Sequence, residues 1–246
     1  MKLLIIRHGE PDYKHDSITE KGRREAEFLS EWLSKQNSEN TYYYVSPYGR
    51  AGETATVALS KTGRTAETLP WLREFDVMIN RPDSPVEHIP WDWLPQDWTK
   101  DERLYQKDHW AENERMAAAD VGGEYRKVTE QFDELLAKHG YVREGGYYCA
   151  VNAVKPNHDT VVLFCHFGLE CVLLSHLWGV SPVVFWHGAC ARTTSVTTVV
   201  TEERRKGIAS FRMLSFGETA HLYVHDETPS FAARFCECYA DDTRHD

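Results

Sequence analysis

The sequence LLII at residues 3–6 is followed directly by RHGE at residues 7–10. A short apolar run that ends in polar residues is typical of a strand buried on both faces of a largely parallel sheet. The sequence VVLFC at residues 161–165 has the same character, and HFG at residues 166–168 follows it. Open α/β sheets bind their ligands just beyond the carboxyl ends of the strands. We therefore expect the two histidines that follow these strands to meet in one crevice.

The segments around these two strands alternate between helix and strand. A helix is predicted from about residue 18, with Ser17-x-x-Glu20 as a capping box, and another from Gly52 to a C-cap at Gly63. The remaining predicted elements are strands at 41–45 and near 68–69, helices at about 123–138 and 168–178 (the latter ended by Gly179), and paired strands at 192–200 and 207–214. This alternation predicts an α/β fold, a three-layer α/β/α sandwich around a mostly parallel mixed sheet.

The segment from residue 78 to residue 120 does not fit this alternation. It contains four of the eight tryptophans, at positions 91, 93, 98 and 110, together with four prolines and many charges. Long loops without secondary structure are rare in compact domains, and insertions of this size often serve a function. We expect residues 1–246 to form a single domain in which 78–120 is a Trp-rich cap or insertion.

Composition limits the classes of partner. The chain has 246 residues, with 38 acidic and 28 basic side chains and a formal net charge of −10. Nucleic acids and anionic membranes would be repelled by this charge, so neither is expected as a partner. No apolar run is long enough to span a membrane or to form a signal-peptide core, which predicts a cytoplasmic protein with reduced cysteines. Cys236-x-Cys238 alone is a weak indication of a metal site.

Five motifs stand in a fixed order along the chain: Arg7-His8-Gly9-Glu10, Thr19-x-x-Gly22, Ser46-Pro47-Tyr48-Gly49-Arg50-Ala51-x-x-Thr54-Ala55, Leu72-x-Glu74 and His166. Together they resemble the motifs of the histidine phosphatase superfamily, the group that contains phosphoglycerate mutases and many broad phosphatases. Their order and spacing agree over about residues 2–74 and 123–170, and the resemblance implies a phosphoglycerate mutase-like fold.

The residues in these motifs suit phosphoryl transfer, which requires an in-line nucleophile and neutralisation of the phosphate oxygens. His8 is the candidate nucleophile, because a neutral imidazole has a free nitrogen near pH 7. Arg7 and Arg50 present planar forks to phosphate, and protonated His166 adds a donor. The N–H groups at the start of the helix near Gly168 are expected to bind phosphate as well.

The resemblance also assigns roles that the residues alone do not. Glu74 occupies the position that supplies the general acid in the similar family, although a solvated loop carboxylate is the ordinary fate of such a residue. Apart from the resemblance, Glu10 is close to the candidate nucleophile in sequence and can touch substrate, although it can equally line the rim of the site. Thr19 is a further candidate for substrate or phosphate binding. No cofactor or metal ion is implied.

Other histidines give weaker indications. His221 and His225 would share one face of a helix, but the glutamate of a zinc hydrolase motif is missing, so a structural role is favoured. His187 is expected in a loop that borders the pocket.

These observations predict a metal-independent phosphatase of the histidine acid phosphatase type. It would hydrolyse a small phosphomonoester, a phosphorylated metabolite, through a covalent phosphohistidine. Pro11 and Lys14 stand where many members of the family carry threonine and asparagine, and the longer asparagine-bearing pattern of the cofactor-dependent mutases is missing. Hydrolysis is therefore favoured over the alternatives of a phosphoglycerate mutase, another phosphotransferase, or a catalytically silent phospholigand-binding module. A homodimer is left open.

Overall fold

The structure, a computed structural model, describes residues 1–151, 157–231 and 239. Cys236 and Cys238 lie outside the described residues. None of the helices in the described part of the chain combines the length and the apolar character that crossing a membrane requires.

Strands and helices alternate along the chain. The strands are β1 (Lys2–Arg7), β2 (Pro11–Asp12), β3 (Ser17–Ile18), β4 (Thr41–Val45), β5 (Glu67–Thr68), β6 (Ile79–Asn80), β7 (Glu87–His88), β8 (Tyr141–Glu144), β9 (Tyr147–Ala150), β10 (Thr160–Cys165), β11 (Val196–Arg205) and β12 (Ile208–Glu218). The α-helices are α1 (Glu20–Gln36), α2 (Gly49–Ala58), α3 (Pro95–Trp98), α4 (Glu114–Ala118), α5 (Val121–Lys138), α6 (Phe167–Trp178), α7 (Pro182–Gly188) and α8 (Ala220–Tyr223). Short 3₁₀ helices span Pro70–Leu72, Pro90–Asp92, Glu102–Tyr105 and Trp110–Glu112.

Eight of these strands form one mixed sheet in the order β5-β4-β10-β1-β11-β12-β9-β8. The strands β5, β4, β10 and β1 are parallel to one another, and from β11 onward each strand pairs antiparallel with its neighbour. The predicted α/β fold with a mixed sheet is confirmed. The parallel part contains the three apolar strands that were predicted at 3–6, 41–45 and 161–165.

The central strands are buried on both faces because helices cover both sides of the sheet. Leu4 and Ile6 pack with α1 and α2 in one buried cluster, whereas Leu3 and Ile5 pack with α5, α6 and α7 in the other. Successive side chains of a strand point to opposite faces, so the unbroken apolar run supplies both layers. The three-layer sandwich predicted from the sequence follows from this arrangement.

Three predicted helix boundaries are wrong: the start of α1 and both ends of α2. The capping residue of α1 is Thr19, whose hydroxyl accepts from Gly22 N at 3.1 Å, and Ser17 instead lies in β3. Helix α2 begins three residues before Gly52 because the Asp16 carboxylate accepts from Gly49 N at 2.6 Å. It ends at Ala58, before the predicted stop at Gly63.

The segment 78–120 is built from short elements around buried aromatic rings. It contains the β6–β7 pair, the helices α3 and α4 and three of the 3₁₀ helices. Trp93, Trp98 and Trp110 belong to the core cluster on the α5–α7 side of the sheet, and the partly buried Trp91 packs against that cluster. The tryptophans therefore attach this segment to the side of the sheet that carries α6.

The loop after β1 is pressed against the first turn of α1. A Cβ atom on Gly9 would lie 2.8 Å from Gly22 O, and a Cβ on Gly22 would lie 2.6 Å from Glu10 O. Contacts this short exclude any side chain at either position. The Thr19-x-x-Gly22 motif thus combines a helix cap with a close backbone approach that positions the loop carrying His8.

Removal of the cap should reduce stability. Thr19→Ala leaves Gly22 N without its acceptor, and we expect the free energy of unfolding in urea to fall by about 1 kcal/mol. Thr19→Ser retains the hydroxyl and should remain close to the unmodified protein. If Thr19→Ala unfolds at the same urea concentration as the unmodified protein, the cap contributes nothing measurable.

Candidate active site

The parallel register of β1 and β10 brings the two histidines together. Arg7 is the register partner of Cys165, and His8 N donates to Cys165 O at 3.1 Å. Because His8 and His166 each follow directly on these paired residues, their rings lie side by side, with centroids 5.1 Å apart. Both side chains are buried. The approach predicted from the sequence is therefore present in the structure.

The hydrogen bonding of His8 determines its tautomer. Nδ1 lies 2.8 Å from the carbonyl oxygen of Gly9, which can only accept, so Nδ1 carries the hydrogen. Nε2 consequently carries the lone pair. Burial and, after it, the positive charge of Arg7 hold the pKa of His8 well below its usual value. His8 is thus a neutral imidazole with an unprotonated Nε2 near pH 7.

His166 is held by Ser46 and Arg50. Its Nε2 lies 2.7 Å from Ser46 Oγ, and its Nδ1 lies 3.4 Å from Arg50 Nη2. Since an arginine only donates, Nδ1 is the acceptor, and Nε2 donates to the serine. Burial, followed by the neighbouring His8 and the two arginines, lowers the pKa of His166 well below its usual value. His166 is therefore neutral in the unliganded site.

Arg7 projects from the end of β1 and is almost completely buried. Its Nη1 donates to Ala191 O at 2.5 Å, and the guanidinium carbon lies 5.7 Å from the centre of the Phe167 ring. Its Nε has no hydrogen-bond partner within the described residues. A buried cation with an unused donor is well suited to an anionic ligand.

Arg50 lies in the first turn of α2 and is shared between an acid and the histidine pair. Nη1 forms an ion pair with Asp16 Oδ1 at 2.7 Å, while Nη2 is directed at His166. The guanidinium carbon lies 4.8 Å from the ring centre of Tyr48 and 5.5 Å from that of Tyr13. The acid and the two rings therefore orient the arginine toward the histidines.

The sequence analysis missed Asp16. This residue has a φ of 47°, a backbone conformation that Asp tolerates better than most residues, and its carboxylate binds both Gly49 N and Arg50. A Cβ atom on Gly49 would lie 2.1 Å from Asp16 O, so only glycine admits this approach. The partners are more than 30 residues apart in the chain. No local pattern reveals such a contact.

Glu74 lies in the loop after the 3₁₀ helix Pro70–Leu72, and its side chain reaches the first turn of α6. Its carboxylate accepts hydrogen bonds from backbone N–H groups of this loop and of α6. Oε1 accepts from Phe75 N at 2.8 Å and from Leu169 N at 3.0 Å. Burial raises the pKa of Glu74, against the opposing effect of these N–H groups and of Arg7. Because both bonds fall on Oε1, the protonated acid carries its hydrogen on Oε2. The two oxygens of this carboxyl are therefore not equivalent.

Charged side chains brace the loop that carries Glu74. Tyr48 OH donates to Asp76 Oδ2 at 2.9 Å, and Arg73 Nη1 donates to Asp76 Oδ1 at 2.8 Å. Arg73 Nη2 also reaches Glu124 Oε1 in α5 at 2.5 Å. These contacts connect the loop to Tyr48, whose ring lies against Arg50, and to helix α5.

The start of α6, where the N–H groups near Gly168 were predicted to bind phosphate, contacts Glu74 and Trp91, and the phosphate-binding role of Gly168 stays a prediction. The N–H of Leu169 is already bonded to Glu74. A Cβ atom on Gly168 would lie 2.1 Å from a ring carbon of Trp91 and 2.9 Å from Glu74 Oε1. The geometry therefore favours support of Glu74, and close packing of Trp91, as the role of this helix end.

Glu10 and Thr19 have structural partners. Thr19 Oγ1 donates to Glu10 Oε1 at 2.8 Å, and the other oxygen of Glu10 accepts from Ser230 Oγ. Thr19 also caps α1. These contacts join the loop after β1 to the chain near residue 230. They favour a structural role for both residues, whose assignment to substrate binding stays a prediction.

Glu170 is a buried carboxyl in the first turn of α6. Its Oε1 has no hydrogen-bond partner within the described residues. Burial raises its pKa to about 7, with Thr197 and the charge of Arg7 acting in the opposite direction. The sequence showed a glutamate in an apolar helix but not its proximity to Arg7.

The other three histidines singled out from the sequence, His187, His221 and His225, have partners of their own. His187 lies in α7, not in the predicted loop, and its Nδ1 donates to Val183 O at 2.9 Å. His221 bonds to Thr194 Oγ1 at 3.1 Å, and His225 stacks on Phe28. Within 1–151 and 157–231, no group of three or more His, Cys, Asp or Glu side chains could hold a metal ion.

Comparison with known proteins identifies relatives by family and by fold. The model of the histidine phosphatase superfamily, branch 1, matches residues 3–213. No curated protein matches the sequence.

Solved structures share the fold at low sequence identity. Phosphoserine phosphatase from Entamoeba histolytica, solved as a mutant with phosphoserine, is 19% identical with a TM-score of 0.59 over 90% of this chain and 98% of its own. A mycobacterial glucosyl-3-phosphoglycerate phosphatase is 19% identical with a TM-score of 0.52 over 88% of this chain and 98% of its own. Alpha-ribazole phosphatase from Shigella flexneri is 16% identical with a TM-score of 0.52 over 89% of this chain and 97% of its own.

Glu170 should make stability depend on pH in a defined direction. Its pKa of about 7 in the folded protein exceeds the 4.5 of a free glutamate, so the carboxyl costs no stability below pH 4.5 and an increasing amount up to about pH 7. Glu170→Gln should therefore gain stability relative to the unmodified protein across this interval, by up to about 3 kcal/mol. Urea unfolding at several pH values measures the difference.

Glu130→Gln, on the exposed face of α5, is the matched control and should show no such trend. A difference for Glu170→Gln that does not change between pH 4.5 and pH 8 would contradict the raised pKa of this buried carboxyl.

Proposed function

The chain belongs to the histidine phosphatase superfamily, branch 1, and from this membership we propose that it is a phosphatase that hydrolyses a small phosphomonoester through a covalent phosphohistidine. The observation that carries the proposal is His8, a neutral imidazole with a free Nε2 lone pair, whose ring centroid lies 5.1 Å from that of a second histidine, His166. Arg7 and Arg50 are the cations of this cluster. The proposed mechanism uses these guanidinium groups, and no metal ion, to neutralise phosphate.

In the first step, His8 Nε2 attacks phosphorus and the bond to the leaving-group oxygen breaks. The developing alkoxide takes the proton from Glu74 Oε2, which leaves Glu74 as a carboxylate. The Nδ1–H bond to Gly9 O supports this step, because it stabilises the positive charge that develops on the imidazole. The backbone donors on Glu74 Oε1 then stabilise the carboxylate that remains.

The negative charge of the phosphate is neutralised by cationic arginines and by imidazoles that are neutral before the phosphate binds. A phosphate oxygen between Arg50 Nη2 and His166 Nδ1 can accept from both once His166 is protonated. The negative charge of the ligand favours this protonation, because an anion nearby raises the pKa of an imidazole. The loss of one preorganised donor commonly costs about 3–4 kcal/mol of transition-state stabilisation.

In the second step, Glu74 acts as the base. Its carboxylate takes a proton from water, the water oxygen attacks phosphorus, and the bond to His8 Nε2 breaks. The product is inorganic phosphate, and both residues return to their starting states. The raised pKa of Glu74 supports its use in both directions, since an acid whose pKa lies nearer neutrality gives up and regains a proton readily.

The proposed substrate is a small phosphorylated metabolite. The structural relatives include a phosphoserine phosphatase solved with phosphoserine and the same enzyme solved with 3-phosphoglyceric acid. The two arginines and the two imidazoles of the site can bind one phosphate group. The net charge of −10 would repel a polyanionic substrate. We further propose that segment 78–120 caps this site within a single domain.

Replacement of the nucleophile tests the mechanism. His8→Ala should lower kcat/KM for para-nitrophenyl phosphate at least about a thousandfold, measured with a chelator present, because the variant lacks the imidazole that forms the proposed covalent intermediate. His225→Ala, which removes an imidazole paired with Glu31 outside the cluster, should retain full activity. Retained activity in His8→Ala would exclude His8 as the nucleophile.

Replacement of the acid should depend on the leaving group. Glu74→Gln keeps an acceptor oxygen for the two N–H groups but has no proton to give. We expect kcat/KM to fall about 10²–10⁴-fold for alkyl phosphates and far less for aryl phosphates, whose leaving groups need little protonation. Equal losses on the two substrate classes would remove Glu74 from the acid role.

Product analysis separates the alternatives. If labelled phosphoglycerate gave an isomerised product with little free phosphate, the protein would be a mutase. If a broad panel of phosphomonoesters gave no phosphate but calorimetry showed binding, it would be a phospholigand-binding module.

A further inference from the structure

Trp91 is the residue of segment 78–120 that approaches the proposed acid. It lies in the 3₁₀ helix Pro90–Asp92 and is partly buried. Its ring meets the Phe167 ring edge-to-face at 6.1 Å and lies 5.8 Å from the ring of Trp186. Phe167 in turn contacts Arg7. Trp91 thus belongs to an aromatic cluster that reaches the base of the site.

Gly168 marks the point where this ring meets the carboxyl of Glu74. A Cβ atom there would lie 2.1 Å and 2.4 Å from two ring carbons of Trp91 and 2.9 Å from Glu74 Oε1. The ring edge and the carboxyl are therefore neighbours across a space that no side chain can enter. The absence of a side chain at this position lets the ring lie directly beside the acid.

The ring is also held in place from below. Trp186 is fully buried, its Nε1 donates to Gly168 O at 3.0 Å, and its ring lies 5.5 Å from that of Phe75, the residue after Glu74. Trp91 rests on this support and keeps part of its own surface exposed. A rigid, partly exposed aromatic surface is well suited to contact a ligand.

The position of the acid determines which part of a substrate meets this ring. The leaving-group oxygen must come within hydrogen-bond reach of Glu74, so the alcohol portion of the substrate extends from the acid. We propose that Trp91 is a specificity-determining residue that packs against this alcohol portion and selects phosphomonoesters whose leaving group is apolar. This proposal rests on the phosphatase function proposed above and names a substrate class for it.

A homologous series of n-alkyl phosphates tests the proposal, because its members share one leaving-group chemistry and differ only in apolar surface. For the unmodified protein, kcat/KM should rise with chain length, by at most about fourfold per methylene. In Trp91→Ala this rise should disappear. Trp91→Phe keeps a smaller ring, so it retains part of the packing if Trp91→Ala fails to fold, and it should show an intermediate rise.

Tyr105→Ala is the matched control. Tyr105 is an exposed aromatic residue of the same segment, but its ring packs on Trp98, whereas that of Trp91 packs on Gly168. The control variant should retain the full dependence on chain length. Equal losses at every chain length in the Trp91 variants, or an unchanged rise, would overturn the specificity role and indicate a ring that only braces the loop.

Binding of the corresponding n-alkylphosphonates separates this proposal from the phosphatase function, because it requires no turnover. Affinity should increase with chain length in the unmodified protein and not in Trp91→Ala. If neither the alkyl phosphates nor a broad panel of phosphomonoesters were hydrolysed but this trend held, the phosphatase function would be wrong and the apolar subsite would stand. Affinity independent of chain length in the unmodified protein would overturn the subsite.

Discussion

The parallel, in-register pairing of β1 with β10 is the constraint on which the site depends. Arg7 is opposite Cys165, so the chain delivers His8 and His166 to the same edge of the sheet at the same depth. A slip of one residue would invert the faces of the whole strand and bury the wrong set of side chains against α1 and α5. The packing of Leu3, Leu4, Ile5 and Ile6 into two separate layers therefore also specifies the distance between the histidines.

The electrostatics of the site follow from this burial. Two imidazoles lie next to two guanidinium groups in a chain with a net charge of −10. Burial and the neighbouring cations act in the same direction on His8 and His166, and both lower the pKa. The unliganded cluster therefore keeps its imidazoles neutral and its excess charge on arginine, and an anion is the ligand that such a cluster accepts most favourably. Asp16 balances part of this charge at Arg50 without contacting the buried histidines.

How much the sequence could predict differs between elements for physical reasons. The central strands and α6 with its end at Gly179 were predicted correctly, because burial on both faces and a left-handed C-cap leave local signatures. The start of α1 was predicted wrongly. Thr19 caps the helix because Gly22 approaches the Glu10 backbone closely, and this contact leaves no local pattern in the sequence. Asp16 was missed because its partners are more than 30 residues away. The family motifs pointed to the candidate site residues together, but they could not show which of these residues contact one another, because that depends on the fold.

Glu74 shows how the fold and the proposed chemistry are joined. The start of a helix ordinarily stabilises a carboxylate, and Leu169 N and Phe75 N both donate to Glu74 Oε1. Burial acts against these donors and prevails, since the pKa of Glu74 is raised. The ring of Trp91, which lies beside Oε1, contributes apolar surface to that burial. The same carboxyl is thus supported in its charged form by backbone N–H groups and in its neutral form by burial. The proposed mechanism requires this balance of a group that must first give a proton and then take one back.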